Sequence, residues 1–366
     1  MEPRELRMNG FDRRRFLHAL VACGVGAALG DLRLEAAPAR AKAAAKPISG
    51  SWFEFQHHSA AEGEPWNAAC AGFTAQQWDA KVKEIADIGL DYLVLMSTAV
   101  HFKAFYQTEI YPRYPMACED PIEAVLAAAD KYGIKFFIGA GFYGQWDSPT
   151  VILDPVAAKK RLQGIEELAK RYGHHPSFHG WYWPDEACIE PYYSNDFIRY
   201  VNTCSKLGRS LCPKAKILIA PYGTRIVTPD DNYIKQLDQL DVDIIAYQDE
   251  IGVRKSKVRE LPAFYEGLKK AHDRASRPVA IWADVEIFEF AGEVYNSALL
   301  PAAFERVESQ LAAISPWVET ILIYQYQGMM NKPGSTAFAG HPSSTRLYSD
   351  YAAWLKRHHP ERLKRK

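Results

Sequence analysis

From residue 48 onward, short continuous apolar runs alternate with longer stretches whose apolar residues recur at helical spacing, and eight such alternations can be counted. Apolar runs without polar interruption are expected of strands covered on both faces, and their alternation with helices marks a parallel sheet with crossover connections. The pattern predicts strands over 50–55, 92–96, 135–140, 178–183, 216–220, 243–247, 279–283 and 320–325. Helix punctuation lies between them. Thr74 with Gln77 forms a capping box, after which Trp78, Val82, Ile85 and Ala86 share one face. Asp120 with Glu123 repeats the device, with Pro121 at the first helical position and Gly133 just past the end. Further helices end at Tyr172 before Gly173 and at Leu207 before Gly208, and later ones run over 228–237, 261–275, 301–313 and 344–358. Eight strands and eight helices in about 310 residues predict an α/β fold, a single (β/α)8 TIM barrel. An open doubly wound sheet is the alternative. Against it, no Gly-x-Gly-x-x-Gly follows the first strand and no Gly-x-x-x-x-Gly-Lys-Ser/Thr occurs anywhere.

The N-terminus has a different pattern. Arg13-Arg14-Arg15-Phe16-Leu17 leads into an apolar, Gly/Ala-rich stretch reaching Gly30, and Ala39-Arg40-Ala41 follows as a small-x-small cleavage site. This order predicts a twin-arginine export signal over residues 1–41, cleaved to leave the barrel over 42–366. The apolar stretch falls short of the roughly 20 residues that span a bilayer. Contact with the membrane is then expected only during passage through the Tat translocase, and the location is periplasmic or secreted. Leu20-Val21-Ala22-Cys23 offers a lipoprotein cleavage box as the alternative.

Composition narrows the function. The chain has 44 Lys and Arg against 44 Asp and Glu, so it lacks the basic excess that binding a polyphosphate requires, and nucleic acid is not an expected partner. No Cys-x-x-Cys or zinc-spaced Cys/His set occurs among the six cysteines. Buried thiols are the default, with Cys204–Cys212 and Cys70–Cys118 as possible bridges in an oxidising compartment. The basic end, 362–366, reads as a solvated tail. Neither composition nor pattern fixes an oligomeric state.

In a barrel the working residues come from the carboxyl ends of the strands and the loops after them. Six of the nine Trp, namely Trp52, Trp66, Trp146, Trp181, Trp183 and Trp282, map to that end. Flat aromatic faces beside hydrogen-bonding groups suit sugar rings. Carboxylates map there too: Glu186 past strand four and Glu286 past strand seven face each other across the ring. Glycoside hydrolysis needs such a pair, one as acid and one as nucleophile or base, and the apolar run before Glu186 would raise its pKa and make it the acid. Asp185, Asp249, Glu250 and Asp284 are the alternative carboxylates. Expected substrate contacts are Trp52, Gln56, His57, Trp146, Trp183, Asp185, Tyr222, Tyr247, Gln248, Asp249, Trp282 and Tyr324. His57 and His58 would point opposite ways on a strand, which argues against a shared metal, and neither a metal nor a cofactor is expected. His174 and His175 fall at the far end of the barrel and read as structural.

These residues also carry a resemblance. Ile48-Ser49-Gly50-Ser51-Trp52, Ile110-Tyr111-Pro112, the segment from Ala128 to Lys135, Gly180-Trp181-Tyr182 with Glu186, Asp243-Ile244-Ile245-Ala246 with Gln248-Asp249 and Gly252, and Trp282-Ala283-Asp284-Val285-Glu286 occur in this order. Over 48–356 the chain resembles a bacterial family of exported glycoside-hydrolase-like (β/α)8 barrels catalogued as a domain of unknown function. The resemblance implies a sugar-active barrel whose acidic residues after strands four, six and seven face the substrate. More distantly it is similar to retaining glycosidases with an acid/base after strand four and a nucleophile after strand seven. Those enzymes usually carry Asn directly before the acid/base, where this chain has Asp185, so retention is left open. The expected function is hydrolysis of O-glycosidic bonds in a poly- or oligosaccharide, with Glu186 as general acid/base and Glu286 as nucleophile or base. A non-catalytic carbohydrate-binding barrel and a metal-assisted hydrolase or lyase are the alternatives.

Overall fold

A computed structural model describes residues 45–148 and 150–364. The export segment expected over 1–41, Cys23 included, lies outside the described residues. Eight parallel strands close into a barrel in chain order: β1 (Gly50–Phe53), β2 (Tyr92–Leu95), β3 (Lys135–Gly139), β4 (Phe178–Tyr182), β5 (Lys216–Ile219), β6 (Ile244–Gln248), β7 (Ala280–Glu286) and β8 (Thr320–Tyr324). Pairing of Gly50 with Leu322 and of Ser51 with Ile323 joins β8 back to β1. The eight expected strands are these eight, so the continuous apolar runs do mark segments buried on both faces.

Among the described residues one long helix follows each strand: α1 (Ala75–Asp87), α2 (Pro121–Tyr132), α3 (Pro155–Tyr172), α4 (Asn195–Leu211), α5 (Asp231–Gln239), α6 (Leu261–Arg274), α7 (Phe304–Ile314) and α8 (Ser344–His358), with two short helical turns at Asn67–Ala71 and Tyr326–Met329. The Thr74–Gln77 box closes in both directions, with Gln77 N donating to Thr74 Oγ1 at 3.3 Å and Thr74 N to Gln77 Oε1 at 3.0 Å. Such a cap contributes about 1 kcal/mol. At α2 only half of the device forms. Glu123 N donates to Asp120 Oδ1 at 3.0 Å, but the Glu123 carboxylate turns to His175 Nε2 at 3.1 Å. His175 Nδ1 meets Asp130 at 2.6 Å, so this histidine ties α2 to the turn before β4.

Three helix boundaries differ from the expected ones, each for a local reason. Helix α4 runs through Gly208 to Leu211 because that glycine serves packing: a Cβ there would lie 3.0 Å from Trp181 Cδ1. Helix α5 starts only after Asp230, whose carboxylate caps Asn232 N and Tyr233 N. Helix α7 starts at Phe304 because Leu299–Pro301 instead pairs with Phe288–Phe290 in an antiparallel ribbon. A second small ribbon, Ala99–Val100 with Lys103–Ala104, follows β2. The five described cysteines are free thiols, so neither candidate bridge forms. The basic end is partly tied down, since Arg362 Nη2 donates to Asp91 Oδ2 at 2.7 Å and Gly89 O at 2.6 Å. Among the described residues no helix is long and apolar enough to cross a membrane.

Candidate active site

Register along β7 sets the depth of the site. Trp282 lies level with Thr320, the first residue of β8, Asp284 with Leu322, and Glu286 with Tyr324, the last. Side chains two apart share a face and each residue rises about 3.3 Å, so Glu286 stands roughly 13 Å above Trp282. Trp282 packs against Tyr92 and Phe137, with ring centroids at 4.9 and 6.2 Å, in the lower half of the barrel. Burial there pushes His179 down to about 4, which keeps the imidazole neutral among these rings. Above that plug, at the carboxyl ends of the strands, lies a cavity of about 170 Å³. Its polar wall is made by Glu186, Tyr222, Gln248, Asp284, Glu286 and Tyr324. The loop after β1 adds His57, His58 and Glu62, and Phe142, Trp146, Pro184 and Phe288 supply much of the apolar lining.

Glu186 is held on both oxygens. Tyr182 OH donates to Oε1 at 2.8 Å and Gln248 Nε2 to Oε2 at 2.8 Å. Burial raises the Tyr182 phenol well above its usual value, so it remains a donor through the working pH range. Gln248 Nε2 also donates to Ala220 O at 3.1 Å, which fixes the direction of the amide.

Glu286 is clamped through its backbone. Its N–H donates to Asp249 Oδ1 at 3.1 Å, and its carbonyl accepts from Gln310 Nε2 at 3.1 Å and Arg306 Nη2 at 2.9 Å. Its carboxylate Oε2 accepts Val253 N at 2.8 Å. Burial, and then the charge of nearby Asp249, pushes the Glu286 carboxyl well above its ordinary range. Asp249 is itself raised to about 6 by burial. Asp284 sits one layer below Glu286 on the same inner face, 3% exposed, with no hydrogen bond to Oδ1. Burial raises it well above the usual carboxylate range, followed by the charges of Glu286 and Glu186.

Of the expected site residues, His57, Trp146, Glu186, Tyr222, Gln248, Glu286 and Tyr324 meet at this one cavity. The others lie elsewhere. Trp183 faces outward, stacked on Trp181 at 6.1 Å and donating to Ser205 Oγ at 3.0 Å, because alternate residues of a strand point to opposite faces. Tyr247 also faces outward, bonded to Tyr233 OH at 2.5 Å and His272 Nε2 at 2.8 Å. Trp52 and Trp282 face inward but pack below the cavity, Trp52 edge-on to Tyr182 at 5.7 Å. Gln56 is turned to backbone, donating to Asn67 O at 2.8 Å. Asp185 is buried in an ion pair with Arg161 at 2.9 Å. Asp249 supports Glu286 from outside the barrel, with Gln310 Nε2 donating to its Oδ2 at 2.6 Å. The expected aromatic rim therefore reduces to one tryptophan at the cavity, Trp146.

In the sequence Asp284 reads only as an alternative carboxylate, although the period of two through Trp282 and Glu286 places it on their face. His58, Glu62, Phe142 and Phe288 reach the cavity from loops and the ribbon, where no periodicity points the way.

His57 and His58 do not diverge, because β1 ends at Phe53 and both sit in a loop with rings stacked at 4.3 Å. With Glu54 they bring three ligand-type atoms within 4.8 Å of one another. The Glu54 and His57 side chains are committed to hydrogen bonds within the protein. The Glu54 carboxylate accepts from Gln325 Nε2 at 2.7 Å, Trp66 Nε1 at 3.1 Å and Tyr324 OH at 3.4 Å, and His57 Nδ1 accepts Ser59 N at 3.0 Å. Glu54 thus supports Tyr324, while burial lifts its carboxyl to about 7.

Several solved structures share the fold. One, from Bacteroides thetaiotaomicron VPI-5482 and described as a candidate α-L-fucosidase, is 19% identical and aligns over 91% of this chain and 100% of its own with a TM-score of 0.68. A β-galactosidase from the psychrophilic Marinomonas ef1 is 10% identical over 84% of this chain and 59% of its own, at a TM-score of 0.54. A structure titled only as a glycoside hydrolase is 13% identical over 84% of this chain and 99% of its own, at 0.52. At these identities the likeness is one of fold. No curated protein matches the chain. Residues 48–337 match the family model described as Domain of unknown function (DUF4434), and the chain belongs to that family.

Proposed function

We propose that the protein is a glycoside hydrolase, with Glu186 as general acid/base and Glu286 as nucleophile or base. The observation that carries this reading is the meeting of these two carboxyls, from β4 and β7, in one cavity with an aromatic wall. Glu186, oriented by Tyr182 and Gln248, donates its proton to the departing glycosidic oxygen. Glu286, held by Val253 N, either attacks the anomeric carbon or takes a proton from the water that does once its own raised carboxyl has given up its proton. Trp146 and Tyr222 offer apolar faces to the ring. The glycoside hydrolases among the similar solved structures support a carbohydrate substrate for this barrel. Residues 1–41 serve as the export signal of the reading, which places the substrate outside the cytoplasm.

A panel of chromogenic glycosides and oligosaccharides incubated with the protein tests the reading, with NMR of the first-formed anomer giving the stereochemical course. Release of a reducing sugar from at least one member is expected. Binding of a glycan that is never cleaved would favour the non-catalytic alternative instead.

A further inference from the structure

The cavity holds more carboxyl groups than a two-carboxylate hydrolysis uses. Glu62, Glu186, Asp284 and Glu286 all line it, and among the described residues no Lys or Arg does. Glu186 is satisfied by Tyr182 and Gln248, and Glu286 by Val253 N. Asp284 differs: it is almost wholly buried, lines the cavity, and leaves Oδ1 without a hydrogen bond. Buried polar atoms are nearly always satisfied, so an unpaired, buried oxygen on a carboxyl that lines a cavity points to a donor brought by a ligand.

We infer, on the glycosidase reading given above, that the sugar bound here carries a free amine, a hexosamine unit without its N-acetyl group, and that Asp284 receives its ammonium. A neutral hydroxyl donates a single hydrogen bond to Asp284 and does nothing to offset the crowding of carboxyls that raises Asp284 and Glu286. An ammonium brings three donors and the opposite charge. A uronate or a sulfated sugar would add a negative charge to a wall that offers no guanidinium fork or lysine to receive it. Of the cations beside the cavity, Lys255 is engaged at 3.9 Å by Glu250 and lies over the rings of Tyr222 and Tyr295, and Arg306 is turned to the carbonyls of Glu286 and Phe288. His57 is held neutral by burial, which outweighs the neighbouring Glu62. Trp146 adds an electron-rich face that favours a cation over an anion.

Monosaccharides test this without knowledge of the linkage. Glucosamine, galactosamine and mannosamine, their N-acetylated forms, the neutral parents and the corresponding uronic acids are titrated calorimetrically into the Glu186→Gln protein. At least one free hexosamine should bind 10-fold or more tightly than its N-acetylated, neutral and acidic relatives, and adding Asp284→Asn should abolish that preference, weakening the free hexosamine far more than the neutral parent. Equal or tighter binding of the neutral, N-acetylated or acidic sugar, or no binding of any free hexosamine, overturns the inference. Because the discrimination is read first with Asp284 intact, misfolding of the double variant would not obscure it. The two readings fail separately. Amine-selective binding with no hydrolysis of any hexosaminide removes the hydrolase, whereas hydrolysis of a neutral glycoside with no preference for the amine removes the ammonium site.

Discussion

Gln248 Nε2 lies 2.8 Å from Glu186 Oε2, so the last residue of β6 orients a carboxylate carried by the loop after β4. Gln248 also stands level with Asp284 on β7, which couples strands six and seven to the position of the acid. A hydrogen bond to a charged group contributes about 1.5–3 kcal/mol.

Replacing Gln248 with Leu should therefore lower kcat about 10- to 100-fold on any substrate the protein cleaves, by the conversion of about 1.4 kcal/mol per factor of ten. KM should move less, because the lost bond positions the acid. Separate determination of kcat and KM checks this, and a change confined to KM would make Gln248 a binding residue only.

The Arg161–Asp185 pair places two full charges in the wall beside Glu186, at 2.9 Å and almost wholly buried. Removing one partner strands the other, at a cost of about 3–5 kcal/mol. Arg161→Ala should lose that much stability in urea unfolding, and Asp185→Asn added to it should recover part of the loss by neutralising the orphaned carboxylate. No recovery would mean that the cost comes from lost packing around the guanidinium.

Glu54 predicts a pH dependence. Its carboxyl is raised from 4.5 to about 7, chiefly by burial, so the folded protein holds a proton there that the unfolded chain has released. The stability from this site is fully present below the unfolded value near 4.5 and is lost as pH rises through about 7. Relative to wild type, Glu54→Gln should gain on the order of 3 kcal/mol between pH 4 and 8, at about 1.36 kcal/mol per unit. Denaturation curves for both proteins across that range decide it, and parallel pH profiles would contradict the shift.

The barrel was legible because its signal is periodic. Eight apolar runs, the Thr74 cap and Gly133 past α2 each follow from local chemistry that operates before any tertiary contact forms. Glu186, Gln248, Glu286 and Tyr324 were legible for the same reason, since each lies in or just past a strand that the pattern marks. Depth and facing were less visible. Trp183 and Tyr247 end up against helices, and Trp282 lies below the cavity, because a residue near a strand's end reaches the mouth only if its parity and its register both allow it. Asp249 illustrates a further limit: it reads as a substrate ligand in sequence but spends its acceptors on Glu286 N, Ile251 N and Gln310. His58, Glu62 and Phe288 come from segments whose paths depend on contacts far away in sequence, such as Leu299 N with Glu62 O at 3.0 Å.

The measurement that bears most directly on the account is kcat/KM of the wild type and of Glu186→Gln and Glu286→Gln on one glycoside that the wild type cleaves, with the unfolding transition of each protein recorded alongside. Loss of an acid/base or a nucleophile should lower kcat/KM by roughly two to four orders of magnitude or more while leaving folding intact. Activity of either well-folded variant within about 10-fold of wild type would remove that carboxylate from the mechanism and with it the two-carboxylate reading of this cavity.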